Sequence, residues 1–326
     1  MTLRASLHQL DEKLGYPLTA IMENRREQRR MAELDRQRKV RQQAHAVSAN
    51  LSRETRTVVD QLNRDGFAIL KQAVPASRVL PLRDQLERIL DSGESLLPVS
   101  DDAARKPGDR AAATKFLTAA ELKKGQEYLR AHTNYAAVAE PLLNCDQAIP
   151  LAFEQQLIDI ASGYLECVPA IGGLNLRKSF RNNLPEFDTL FFHVDPNSPK
   201  FLKFFFYLND VDESGGPFCY VRGSHRRRFP GWQRKYRWEL DEIAPVYGAD
   251  NVLLLTAKVG DIIVADTNGF HRGTKITGQD RGMLTVDYVL HQEFSGTQEG
   301  FKIDRKRVGA LSPAQKQVAD FLTVIN

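Results

Sequence analysis

The sequence predicts an α+β chain: a helical layer buttressing a closed set of short β-strands, behind a helical N-terminal extension. Two observations carry the core of this expectation. From about 170 to 294, short runs rich in Phe, Tyr, Ile and Val alternate with Gly, Pro, Asn and Asp, as in closed all-β architectures. From about 77 to 165, apolar residues return at helical spacing instead. A third observation sets residues 1–50 apart. Between Arg25 and Arg41 stand eight basic residues against three acids, with no Gly or Pro. A helix so polar all round is solvated or docks by a narrow stripe. The alternative is a basic arm for an anionic surface, a nucleic acid or a partner subunit, including a second copy of the chain.

Residues 51–326 then read as one domain, and 326 residues are enough to bury a sizeable core. Val58, Val59 and Leu62 suit a short helix, and Asp65-Gly66 a turn into a strand at Phe67–Leu70. Ser77 is a plausible N-cap for a helix with Val79, Leu82, Leu86, Ile89 and Leu90 on one face. The stretch from Ser92 to Ala112 is rich in Ser, Asp, Pro and Gly and reads as a loop. Thr118-Ala119-Ala120-Glu121 is a capping box, opening a mainly helical stretch to about Tyr164. Strands are expected at 175–181, 188–195, 201–209, 218–221, 251–256, 261–266 and 282–291, with a turn at Pro196–Pro199. Ser312-Pro313-Ala314-Gln315 opens a last helix, expected to run to about Val324.

Composition narrows the function classes. No apolar run is long enough to span a bilayer, and the N-terminus lacks a secretory apolar segment. Cys145, Cys167 and Cys219 are widely spaced, which argues against a disulfide framework or zinc site and for a reducing compartment such as the cytoplasm. A net charge of +4 demands no polyanion, so nucleic acid is not an expected partner.

The chemistry concentrates at Phe191-Phe192-His193-Val194-Asp195. Residues two apart on a strand share a face, so His193 and Asp195 can converge on one ion, with His271 as the distant third ligand. Two imidazoles and one carboxylate are the facial triad of a non-haem Fe(II) oxygenase. Alone, a His-x-Asp is equally a packed core histidine beside a loop-capping acid. The following features change that balance: Gly215-Gly216-Pro217, Gly223-Ser224-His225, the run Val259–Asp266 leading to His271, and Arg281 ten residues beyond. In order and spacing, from about Ser52 to Phe294, the chain resembles the phytanoyl-CoA dioxygenase family of Fe(II)- and 2-oxoglutarate-dependent oxygenases.

The resemblance implies a double-stranded β-helix, or jelly roll, core with a cupin-like fold. It implies Fe(II) on His193, Asp195 and His271, and 2-oxoglutarate and O2 as co-substrates. It also implies Arg281 as the fork for the distal carboxylate of 2-oxoglutarate, a role that suits a guanidinium better than an ammonium. Related halogenases lack the carboxylate ligand; Asp195 therefore favours hydroxylation of a small or carrier-linked metabolite, with anionic, sugar, nucleotide-linked and acyl substrates all open. Thr285 shares a strand face with Arg281, and Lys203 shares one with Tyr207, so all three are candidate co-substrate residues. Lys203 in so apolar a strand needs a partner, either an anionic ligand or a buried acid. Arg177 and Arg181 are candidates for the mouth, and Trp232, in the basic, aromatic insertion from Arg226 to Trp238, for a lid over the substrate; the insertion equally suits a loop packed outside the barrel. Departures from the family pattern are Gly273, where a serine often stands, and Arg222, where proline is usual. Two further readings stay open: a cupin-like metalloenzyme that does not use 2-oxoglutarate, and a non-catalytic scaffold.

Overall fold

Strand alternation along a nine-residue segment organises the molecule. In the computed structural model, residues 51–104, 115–186, 188–195, 200–232, 237–290, 301–319 and 322–326 are described, with Arg29, Ala32, Glu33, Arg36 and Lys39 as helical positions of the N-terminal stretch. The rest of the basic arm, the 196–199 turn and the predicted strand end at His291 lie outside the described residues.

The strands are β1 (Phe67–Leu70), β2 (Tyr135–Ala137), β3 (Ala170–Ser179), β4 (Leu202–Tyr207), β5 (Phe218–Val221), β6 (Val252–Leu255), β7 (Ile262–Ala265), β8 (His271–Arg272), β9 (Arg281–Val289), β10 (Lys302–Asp304) and β11 (Thr323–Ile325). Six form one antiparallel sheet in the order β1-β7-β4-β9-β3-β2, and three form a smaller antiparallel sheet, β6-β5-β8. This is the expected mixture of helices with a jelly-roll core.

Because β9 alternates, Leu284, Val286 and Tyr288 face one way and Arg281, Met283, Thr285 and Asp287 the other. The first set joins Leu202, Phe204 and Phe206 of β4 in a large apolar core with Leu82, Leu86 and Leu90 of the helix Ala76–Ser92 and Leu157 and Ile160 of the helix Gln155–Leu165. The second set looks inward, toward the smaller sheet. The helical stretch thus acts as the predicted buttress.

Several local expectations are corrected. The segment 188–195 is not a strand: Asp188–Leu190 is a 3-10 turn, and only Phe192 and His193 pair, through isolated bridges to Trp238 and His271. Residues 135–137 form an edge strand inside the stretch read as helical, paired with Ser179–Arg177. The capping box at Thr118 is present, but its helix ends at Leu122, and Gly125 at φ 82° opens a second one at Gln126. The final helix stops at Val318, because the β-branched run Thr323–Ile325 pairs in parallel with β10.

Candidate active site

His193 and His271 meet across a mutual bridge, each backbone N–H donating to the other's carbonyl at 3.0 Å. The Asp195 N–H donates to the Thr267 carbonyl at 2.9 Å, tying the His-x-Asp segment to the turn before β8. That turn is itself pinned. The buried Asp266 carboxylate accepts from the Tyr164 hydroxyl at 2.7 Å and from the Asn268 N–H at 3.0 Å, and the Tyr220 hydroxyl donates to the Asp266 carbonyl at 2.8 Å. Gly269 is obligatory here, since a Cβ would come within 2.0 Å of the Tyr220 oxygen. The Gly-Ser-His segment contributes Ser224, whose Oγ accepts from the Phe270 N–H at 2.7 Å. His225 lies elsewhere, with Nε2 3.3 Å from the Asn63 carbonyl oxygen.

The side chains converge as the motif requires. The imidazole centroids are 4.2 Å apart; His193 Nε2 is 3.7 Å from Asp195 Oδ1, and His271 Nε2 is 3.5 Å from Oδ2. One ligand atom from each residue lies within 4.8 Å of the others. Each Nδ1 faces the carbonyl oxygen two residues earlier, Phe191 at 2.8 Å and Gly269 at 2.9 Å. Those bonds assign the proton to Nδ1 and leave both Nε2 lone pairs for a metal. Burial, reinforced by His271, pushes the His193 pKa down to about 3, so its imidazole is neutral at neutral pH. Burial opposes ionisation of Asp195, but Lys203 and the two imidazoles together hold its carboxyl well below the usual range. Imidazole nitrogens with free lone pairs and an ionised carboxylate are the donor set that Fe(II) takes.

A cavity of about 310 Å3 opens beside this cluster, lined by His193, Asp195, Lys203, Arg281, Thr285 and Asp287 among others. Arg281 is buried, yet among the described residues it has no carboxylate beside it. Its guanidinium donates to Ser179 Oγ at 3.5 Å, and its Nε has no hydrogen-bond partner. Burial lowers its pKa to about 10, which leaves it charged at neutral pH. A buried, charged and underused guanidinium fits an incoming carboxylate.

The other predicted residues divide. Thr285 lines the cavity, and Arg177 does too, with its guanidinium 5.4 Å from the Tyr135 ring centroid. Tyr207 is buried behind the wall; its hydroxyl accepts from the Phe218 N–H at 2.8 Å and donates to the Leu255 carbonyl at 3.4 Å. Lys203 has found acids: Nζ lies 3.0 Å from Asp195 Oδ2 and 3.5 Å from Asp287 Oδ2. Burial opposes its charge, and the two carboxylates outweigh that and raise its pKa. Arg181 lines a different cavity, of about 640 Å3, together with Lys178 and Asp280. Trp232 lies in an aromatic cluster with Phe229, Trp238 and Phe270, outside the metal cavity. Arg272 turns away from the ligands, its guanidinium 4.7 Å from the Phe192 ring centroid.

Sequence reasoning passed over Asn175 and Asp287, both on the cavity wall. Asp287 was within reach, since it lies one alternation beyond Thr285 on β9. Asn175 sits directly across from Thr285 on β3, a pairing that only the register reveals.

A profile of the phytanoyl-CoA dioxygenase (PhyH) family matches residues 62–283, about two thirds of the chain, a span within which His193, Asp195, His271 and Arg281 lie. Among curated protein sequences, none matches. Solved structures similar in fold include the non-haem α-ketoglutarate-dependent epimerase SnoN of nogalamycin biosynthesis. It is 14% identical, with 72% of this chain and 83% of that one aligned and a TM-score of 0.53. The carbocyclase SnoK of the same biosynthesis is 16% identical over 73% and 84%, with a TM-score of 0.50. EctD from S. alaskensis, with bound Fe, is 18% identical over 75% and 80%, with a TM-score of 0.51. The chain belongs to the phytanoyl-CoA dioxygenase family, and is an enzyme of the non-haem iron, 2-oxoglutarate-dependent class.

Proposed function

We propose that this enzyme hydroxylates an aliphatic C–H bond of a small or carrier-linked polar metabolite. One substrate C–H bond, one O2 and one 2-oxoglutarate would become one C–OH bond, succinate and carbon dioxide. The observation that carries this reading is Asp195, a carboxylate held ionised beside the neutral His193 imidazole and within reach of His271. With that acid as a ligand, the site would hold Fe(II) through two imidazoles and a carboxylate, with no place reserved for a halide.

Fe(II) with 2-oxoglutarate, when bound, supplies the oxidative decarboxylation and an oxidant strong enough for an unactivated C–H bond. The chain does the rest. His193, Asp195 and His271 hold the metal, and the Phe191 and Gly269 carbonyls fix the two imidazoles. Lys203 orients the Asp195 carboxylate by taking Oδ2. Arg281 binds the distal carboxylate of 2-oxoglutarate, with Thr285 beside it on the same strand face. Phe205, Phe218 and Met283 give the cavity a water-excluding side, and Arg177 suits an anionic group of the substrate. Among the described residues no helix is long and apolar enough to cross a membrane. The three buried, free thiols fit a cytoplasmic setting.

Anaerobic addition of Fe(II) and then 2-oxoglutarate tests the assignment through the weak visible metal-to-ligand charge-transfer band. A saturable band is expected. Arg281→Ala should raise the 2-oxoglutarate Kd by about 100-fold, the loss of a bidentate charge-assisted contact, and His271→Ala should abolish the band. Bound iron without a band would sink the 2-oxoglutarate assignment. The reactions named for SnoN and SnoK insert no oxygen as named, so an 18O2 experiment is decisive for the reaction type. Label in the product supports hydroxylation; its absence favours epimerisation or ring closure.

A further inference from the structure

Asp287 gives the metal cavity a feature that neither iron nor 2-oxoglutarate explains. The buried side-chain atoms on the cavity wall without a hydrogen-bond partner include Arg281 Nε, Asn175 Oδ1 and Asp287 Oδ1. Buried polar atoms are seldom left so. 2-Oxoglutarate carries two carboxylates and a keto oxygen, all acceptors, and therefore answers Arg281. The Asn175 amide can turn and present its NH2 group to the same ligand. Burial raises the Asp287 pKa and Lys203 opposes that rise; as the carboxylate that pairs with Lys203, Asp287 only accepts, so its free oxygen needs a donor that the co-substrate lacks.

The surroundings of Asp287 narrow the donor. Its Oδ2 lies 3.5 Å from Lys203 Nζ. Iron at Asp195 would take up that carboxylate's charge, which leaves Lys203 and Asp287 as a neutral pair. A second ammonium there would meet Lys203 with no charge to offset the repulsion. A hydroxyl is both donor and acceptor, so it can donate to Asp287 Oδ1 while accepting from Lys203 Nζ. The opposing strand is shaped around the acid. The register of β3 against β9 shifts between Ile171 and Gly173, and both Gly172 and Gly173 line the cavity. A Cβ on Gly173 would come within 2.6 Å of Asp287 Oδ2, and one on Gly172 within 2.2 Å of Val289 Cγ2. Bare backbone there leaves the carboxylate its position.

We propose that Asp287, with Lys203 beside it, is the substrate-recognition pair of this enzyme and reads a hydroxyl group on a hydroxyl-rich substrate of the sugar or polyol class. The inference rests on the 2-oxoglutarate assignment above.

The test uses the full-length protein loaded anaerobically with Fe(II) and 2-oxoglutarate. The charge-transfer band is recorded while sorbitol, hexylamine or hexanoate is titrated in. Absence of the band before any probe is added is the failure of the co-substrate assignment, and is distinct from failure of this proposal. In the wild type, sorbitol should shift the band saturably, and the two monofunctional probes should not. Asp287→Leu and Gly173→Ala should each raise the apparent Kd for sorbitol at least about tenfold, the worth of a hydrogen bond to a charged group. The near-isosteric Asp287→Asn should fold where those variants do not and should still weaken sorbitol, with the 2-oxoglutarate titration unchanged in every variant. The proposal is overturned if sorbitol leaves the wild-type band unmoved, if hexylamine binds better than sorbitol, or if sorbitol binds the folded Asp287 variants as it binds the wild type. The last result would assign the free oxygen of Asp287 to solvent.

Discussion

The two walls of the metal cavity are built by different means. On the six-stranded side, β9 is paired along its length with β3 and β4, and the ladder alone sets which face Arg281, Thr285 and Asp287 present. On the metal side, His271 opens a two-residue strand and His193 pairs through a single bridge. A ladder that short fixes position poorly, and ring direction is fixed instead by Nδ1 contacts to Phe191 and Gly269. Long pairing thus chooses a face, whereas aiming a donor atom takes a second, local contact. Lys203 joins the walls: it stands on β4 and holds Asp195 of the metal side.

Lys203→Met tests that junction and should give the largest stability effect. The variant leaves the Asp195 and Asp287 carboxylates in the cavity without their shared cation. The metal-free protein should lose ~3 kcal/mol, as when one partner of a buried ion pair is removed. Fe(II) brings its own positive charge to Asp195, so the deficit should be smaller with Fe(II) bound, and by linkage the folded variant should bind Fe(II) at least as tightly as the wild type. Urea melts with and without Fe(II) measure both. An equal deficit in the two conditions would mean that Lys203 supports the fold and not the ligand.

Acid should distinguish the walls next, in the metal-free protein. Burial lowers the His193 pKa from the ordinary 6.5 to about 3. As pH falls below about 6.5, the unfolded chain takes up a proton that the folded chain refuses. Stability from this group is complete above that pH and is lost down to about 3, with a slope of at most ~1.4 kcal/mol per pH unit. Asp195, held low despite burial by Lys203 and the imidazoles, adds a loss of the same sign at still lower pH. Urea midpoints from pH 7.5 to 4.5 should therefore decline in the wild type and decline less in His193→Gln. Matching slopes in the two proteins would place the acid sensitivity elsewhere.

The same contrast explains what could be read beforehand. Arg281, Thr285 and Lys203 sit on long strands, where alternation assigns a face to each residue. Asp287 obeys the same rule, one alternation beyond Thr285 on the same face. His193, Asp195 and His271 were legible as a motif, but not as a strand. The segment 188–195 looks β-prone from its Phe content, whereas its pairing is reduced to single bridges because its backbone turns at Asp188–Leu190. Whether Lys203 would meet a ligand or an acid depended on the register that sets it opposite Asp287. Trp232 was beyond reach for another reason: an aromatic residue in an insertion reads alike as lid and as packing.

Trp232→Ala and Arg181→Ala make the finest division, between the cavity wall and what surrounds it. Trp232 packs among Phe229, Trp238 and Phe270, with the Arg228 guanidinium 5.1 Å from its ring centroid. It is partly buried, so truncation should cost less than a full core deletion, about 1–2 kcal/mol. Arg228 also donates to the Ser224 and Asn268 carbonyls, close to the turn that carries His271, so a small loss of iron affinity is an expected companion. Arg181 faces the separate polar cavity, and its loss should move neither stability nor ligand binding measurably. The decisive reading is sorbitol binding to the iron and 2-oxoglutarate complex. If Trp232→Ala leaves it unchanged, the aromatic insertion is packing. A drop in sorbitol affinity with 2-oxoglutarate binding intact would restore Trp232 as a lid over the substrate and extend the recognition surface beyond Asp287.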